Sequence, residues 1–157
     1  MAYHDDLLSL ALSLVHTVPA TQATLRRSVS SAYYAVFHLL IAEATSNWNI
    51  AGLRTALGRA YDHTTMKSAS NRILDLREFP FTGEDPQAVA SLRFVALTFT
   101  QLQEGRHFAD YNLTEDLDPT DALNQVKSAE KVFSVWPSIR SHQIAQEYLV
   151  SLVVKRR

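Results

Sequence analysis

Two short stretches hold most of the residue types that could do chemistry. The first runs from Leu25 to His38. On a helix, Arg27, Ser31, Tyr34 and His38 fall at i, i+4, i+7 and i+11, so a cation, a hydroxyl, a phenol and an imidazole share one stripe. Tyr33 and Phe37 form an aromatic stripe beside it. Ser28, Ser30, Ser31, Ala32 and Ala35 are small enough to let another helix approach closely. This pattern suits a polar patch inside a helix–helix or dimer seam. The second stretch runs from Gly105 to Leu113. Arg106 and Asp110 are four apart and face the same side, as an ion pair would. An arginine's fixed charge and forked donors also suit a buried carboxylate or a phosphate. His107 projects roughly 100° away from Arg106 on a helix. The expected polar cluster comprises Arg27, Ser31, Tyr34, His38, Arg106, Asp110 and Tyr111. Within it Arg106 and His38 are the candidate catalytic pair, if two helices bring the imidazole within reach of the reacting proton.

Other chemistries find little support. Cysteine is absent, which removes disulfides, thiolate metal sites and cysteine nucleophiles. No His-x-x-x-His pair occurs, and no metal or cofactor is expected. The net charge of −1 argues against a broadly basic nucleic-acid surface. It leaves room for a few placed cations. Eleven of the 15 cationic residues are arginine, and Arg27 and Arg106 fall inside the two stretches. Lys155-Arg156-Arg157 reads as a solvated basic end or a phosphate contact.

The elements that must position these residues are helices. Only four glycines and five prolines punctuate the 157 residues, too few for the turns of an all-β fold or a phosphate-binding glycine loop. Pro19 separates a first helix at about 5–17 from a long second one ending near residue 45. Thr21 or Thr24 is its expected cap. A third helical stretch covers about 51–61 and resumes after Asp62-His63-Thr64 to about residue 76, with Asp62 as cap. Residues 78–86 read as a loop around Pro80 and Gly83. Asp85-Pro86 and Asp118-Pro119 each read as a cap followed by a first helical residue, opening helices at about 86–109 and 119–135. Trp136-Pro137 is expected to stop the latter, and Ser138 to open a last helix to about 153. The apolar run at 149–154 is also compatible with a strand. Leu25, Val29, Ala32, Val36, Leu39 and Leu40 keep a helical 3-4 spacing, and so do Leu92, Val95, Phe99, Leu102 and Phe108. The expectation is an all-α, up-and-down bundle of four long helices plus one or two short ones, forming a single domain over 1–157 with 138–157 as an addition to it. With no signal-like leader and no membrane-length apolar run, a cytoplasmic location is the default.

The stretch from Arg26 to His38 resembles the second helix of the HEPN (higher-eukaryote and prokaryote nucleotide-binding) family. Members often carry there an Arg, a Ser four residues on, and then Tyr-Tyr-Ala-x-Phe-His. Arg27, Ser31, Tyr34, Ala35, Phe37 and His38 match. Arg106-His107-Phe108-Ala109-Asp110-Tyr111 resembles the Arg-x-x-Ala-Asp-Tyr that ends a later long helix in one bacterial branch. Asp121, Ala122, Ala129 and Phe133 resemble its next helix. The resemblance covers about residues 5–136. It implies an all-α bundle, usually a homodimer, and in many relatives a partner of a minimal nucleotidyltransferase in toxin–antitoxin modules. Other relatives are metal-independent ribonucleases with an Arg, four to six residues and a His near the dimer seam. In this chain the corresponding positions are Tyr111, Asn112 and Leu113, and none is His. The resemblance therefore implies a dimeric interaction or regulatory protein that acts with a nucleotidyltransferase, an RNA or a nucleotide. The alternatives are an endoribonuclease using Arg106 and a non-catalytic nucleotide-binding bundle.

Overall fold

The computed structural model describes residues 1–75, 77 and 83–156. Leu76, most of the loop expected around Pro80, and Arg157 lie outside the described residues. Among the described residues seven helices follow one another: α1 (Tyr3–Val15), α2 (Gln22–Ser46), α3 (Ala51–Gly58), α4 (His63–Leu74), α5 (Pro86–Tyr111), α6 (Pro119–Ile139) and α7 (Gln143–Ser151). No strand occurs among the described residues, and 149–151 belong to α7. The all-α expectation is met. Among the described residues α2, α5 and α6 each exceed twenty residues.

Side chains mark where the helices start. Asp62 accepts hydrogen bonds from the Thr65 amide (2.8 Å) and the Thr65 hydroxyl (2.9 Å), capping α4. The Thr65 bonds hold the Asp62 carboxyl below its ordinary pKa. Asp118 accepts from the Thr120 amide at 2.8 Å, and Asp85 from the Gln87 amide at 3.1 Å. At α2, Thr21 and Thr24 each accept the other's backbone amide.

The end of α6 departs from the sequence expectation. The helix continues through Trp136 and Pro137 to Ile139, and the last helix opens at Gln143 rather than Ser138. A proline deep inside a helix costs about 3 kcal/mol. Here it sits in the final turn, and Trp136 and Ile139 on either side of it are buried. Burying two such side chains contributes roughly 2–3 kcal/mol each, so packing wins. Just beyond the helix, Arg140 closes a two-bond ion pair with Glu43 (2.7 and 2.8 Å).

The chain divides into two compact units, residues 1–39 with 101–133 and residues 40–100 with 134–157. In the first unit, Leu25, Val29, Ala109, Leu117 and Ala122 form a buried cluster, with Val15 and Phe108 packed against it. Within this unit α2 and α5 run antiparallel: Arg26 meets Phe108 and Ala109, and Tyr33, further along α2, meets Arg106 further back on α5. In the second unit Met66, Ile73, Leu92, Phe99, Trp136 and Leu149 are buried. There α4 packs on α7, with Ser70 and Tyr148 sharing a buried hydrogen bond of 2.8 Å. Burial raises the Tyr148 phenol well above its ordinary pKa.

Candidate functional site

Between residues 28 and 40, α2 is buried at every position except 31, 34 and 38, which are half-buried; Arg27, one turn earlier, is exposed. Ser31, Tyr34 and His38 are thus the line of this segment that solvent reaches. The two aromatic positions beside the line, Tyr33 and Phe37, are buried. Their rings pack at 5.9 Å, and Tyr33 meets Tyr34 edge-on at 5.2 Å. Burial pushes the Tyr33 phenol up, against the opposing pull of the nearby Arg106 charge.

Arg106 comes from α5. Its guanidinium lies 5.2 Å from the centre of the Tyr33 ring and 5.7 Å from that of Tyr34, so two aromatic faces hold one cation. Asp110 is its single ion-pair partner among the described residues, at 3.6 Å. Only 15% of the Arg106 side chain is exposed, and 30% of that of Asp110. A pair of this length contributes at most about 1 kcal/mol. The Arg106 Nε hydrogen is buried and has no acceptor among the described residues. The buried Nε is closed to a ligand, so an incoming acceptor would have to meet the Nη groups, which rings hold rather than oxygens saturate. Gly105 permits this packing on its other side: a Cβ there would run into the carboxamide of Gln125.

His38 stands at the other end of the line. Its ring meets Tyr3 of α1 at 5.0 Å, Phe37 at 5.2 Å and Tyr34 at 6.4 Å. Tyr34 is therefore shared, with Arg106 and His38 each packed on its ring.

Two residues of the expected cluster lie elsewhere. Arg27 is exposed and makes none of these ring or ion contacts among the described residues. Tyr111 is 65% exposed and pairs with His107 at 4.9 Å instead. Arg26, which sequence reasoning passed over, is the engaged arginine. Its Nη1 donates to the carbonyls of Ala109 (3.1 Å) and Asn112 (2.5 Å), its Nη2 to that of Glu115 (2.5 Å), and its Nε to Gln22 Oε1 (3.0 Å). It also lies over the Phe108 ring at 5.8 Å. The Gln22 carboxamide bonds the Leu117 backbone in both directions (2.8 and 3.0 Å). Together they tie the end of the helix that carries Arg106, and the turn after it, to the start of α2. The signal was present in the sequence: Arg26, Ser30, Tyr33 and Phe37 form a second i, i+4, i+7, i+11 stripe, the more buried twin of the one that begins at Arg27.

Glu104 and His107 have an i, i+3 spacing found in helical metal sites, but both are exposed. No group of three His, Asp or Glu side chains that could hold a metal forms among the described residues. No described helix is long and apolar enough to cross a membrane. Compared with protein-family models, with curated proteins and with solved structures, the chain matches none.

Proposed function

We propose that this chain is a HEPN-like interaction protein that self-associates along the Ser31–Tyr34–His38 line and offers Arg106 to a phosphate of RNA or of a nucleotide, acting with a minimal nucleotidyltransferase. One observation carries the reading: the Arg106 guanidinium sits against two tyrosine rings, with Asp110 at 3.6 Å as its ion-pair partner among the described residues. A cation held in this way is already in place for a phosphate, and the half-buried Tyr34 ring beside it suits a stacked base. The half-buried line of Ser31, Tyr34 and His38 on α2 supports the seam.

A second reading is a metal-independent endoribonuclease, with Arg106 binding phosphate and His38 moving the proton. It is favoured by the position of both residues against the ring of Tyr34. The test is incubation of purified protein with labelled single-stranded RNA, followed by separate measurement of retention and chain length. Retained, intact RNA supports the interaction protein. Cleavage lost in both Arg106→Ala and His38→Ala assigns the ribonuclease. Neither retention nor cleavage, with a monomer in sedimentation and no co-elution with a nucleotidyltransferase encoded beside it, overturns the proposal.

A further inference from the structure

The second compact unit holds a pocket of about 570 Å³, in the size range of small-molecule sites. It has no part in the Arg106 site, all of whose residues belong to the first unit. Its walls come from the end of α2, from α3 and its exit, and from α7. Leu57, Leu149, Val150 and Val153 supply an aliphatic lining. Trp48 and Tyr61 add two aromatic rings, and half of the Trp48 surface remains open to solvent.

The polar groups are few and mostly committed. Asn47 donates to Gln146 Oε1 at 2.8 Å, and Gln146 donates on to the Arg140 carbonyl at 2.6 Å. This chain of bonds fixes one wall. The single charged residue lining the pocket is Glu147. Its carboxylate accepts one bond, from Gln143 at 2.8 Å, and pairs with no cation among the described residues. An apolar cavity with two aromatic rings and one uncompensated carboxylate has a definite preference. Aliphatic walls favour a hydrocarbon body. Ring faces and a carboxylate both favour positive charge and disfavour negative.

We propose that this pocket binds a small amphiphilic organic cation, an alkyl- or arylammonium, with its hydrocarbon part against Leu57, Leu149 and Val153 and its charge toward Trp48, Tyr61 and Glu147. A volume of about 570 Å³ matches a small organic molecule.

The chain carries its own reporter. Of its two tryptophans, Trp136 is fully buried and Trp48 lines the pocket. The experiment titrates the full-length protein with three molecules sharing one hydrocarbon chain: hexyltrimethylammonium, 1-hexanol and hexanoate. Tryptophan emission is read against circular dichroism as a check on folding. Hexyltrimethylammonium is expected to give a saturable change, with 1-hexanol about fivefold weaker and hexanoate weaker still. Glu147→Gln, on the exposed side of α7, removes most of the preference for the cation and leaves 1-hexanol unchanged. Trp48→Phe removes the signal, and calorimetry on that variant still registers binding. No saturable response to hexyltrimethylammonium, or hexanoate binding as tightly as the cation, overturns the proposal. So does a Glu147→Gln variant that keeps the full cation preference.

Discussion

Removing Arg26 should loosen the end of α5, whereas removing its neighbour Arg27 should do almost nothing. The guanidinium of Arg26 donates to backbone carbonyls of Ala109, Asn112 and Glu115 and to the side chain of Gln22, and reaches Phe108 more weakly at 3.5 Å. A hydrogen bond to a charged group contributes about 1.5–3 kcal/mol, so three carbonyl bonds would sum to roughly 5–9 kcal/mol if none were replaced. They are replaced in part. The side chain is only partly buried, and water reaches the carbonyls beyond Tyr111 once it is gone. We therefore expect Arg26→Ala to cost about 3 kcal/mol, a fall in Tm of about 6–12 °C for a chain of this size. Arg26→Lys keeps the charge without the fork and should recover about half. Arg27→Ala, at an exposed position, should stay within about 0.5 kcal/mol of the parent. Urea and thermal unfolding measure all three, and amide hydrogen exchange over residues 109–115 locates the effect. An Arg26→Ala variant as stable as the parent, or an Arg27→Ala variant that loses as much, would refute this account of how α5 is anchored.

Three further outcomes follow from particular contacts. In a spectrophotometric titration, Tyr33 and Tyr148 should ionise last of the six tyrosines, because burial raises both. A group that the fold keeps neutral stabilises below its unfolded pKa and loses that contribution as pH rises past it, so alkaline unfolding should begin above about pH 10 and come later in Tyr148→Phe. Asp62 has the opposite sign. Its lowered pKa stabilises the fold above about pH 4, and that contribution fades as pH falls through the depressed value. Asp62→Ala should therefore cost about 1 kcal/mol at neutral pH and less in acid, as read by urea midpoints at each pH. Replacing Tyr34 with leucine should keep the fold, since Tyr34 is only half-buried, yet weaken any RNA binding several-fold by removing one face of the Arg106 platform.

Much of the helical order was legible because it depends on local signals. Leu25, Val29, Ala32, Val36, Leu39 and Leu40 keep one periodicity and all are buried. Asp62, Asp85 and Asp118 announced helix starts through capping chemistry and stand there. Pro137 misled because a proline's local cost is visible in sequence while the burial of Trp136 and Ile139 is not. The choice between Arg26 and Arg27 had the same character. Both lie on stripes with the same spacing, and only packing decides which stripe faces the interior. Arg106 and Asp110 were found from an i, i+4 rule, but the tyrosine platform under Arg106 joins residues more than seventy positions apart. The pocket beside Trp48 was invisible for the same reason, since α7 supplies its opposite wall a hundred residues later.

The central claim is that Arg106 is a seated phosphate ligand. The most direct measurement is the salt dependence of binding to a short labelled single-stranded RNA by fluorescence anisotropy, comparing the parent with Arg106→Gln. The account predicts that the variant remains folded, binds roughly tenfold more weakly at low salt and loses close to one phosphate contact, a reduction in log–log slope of about 0.7. Equal affinity and an equal slope in parent and variant would contradict it.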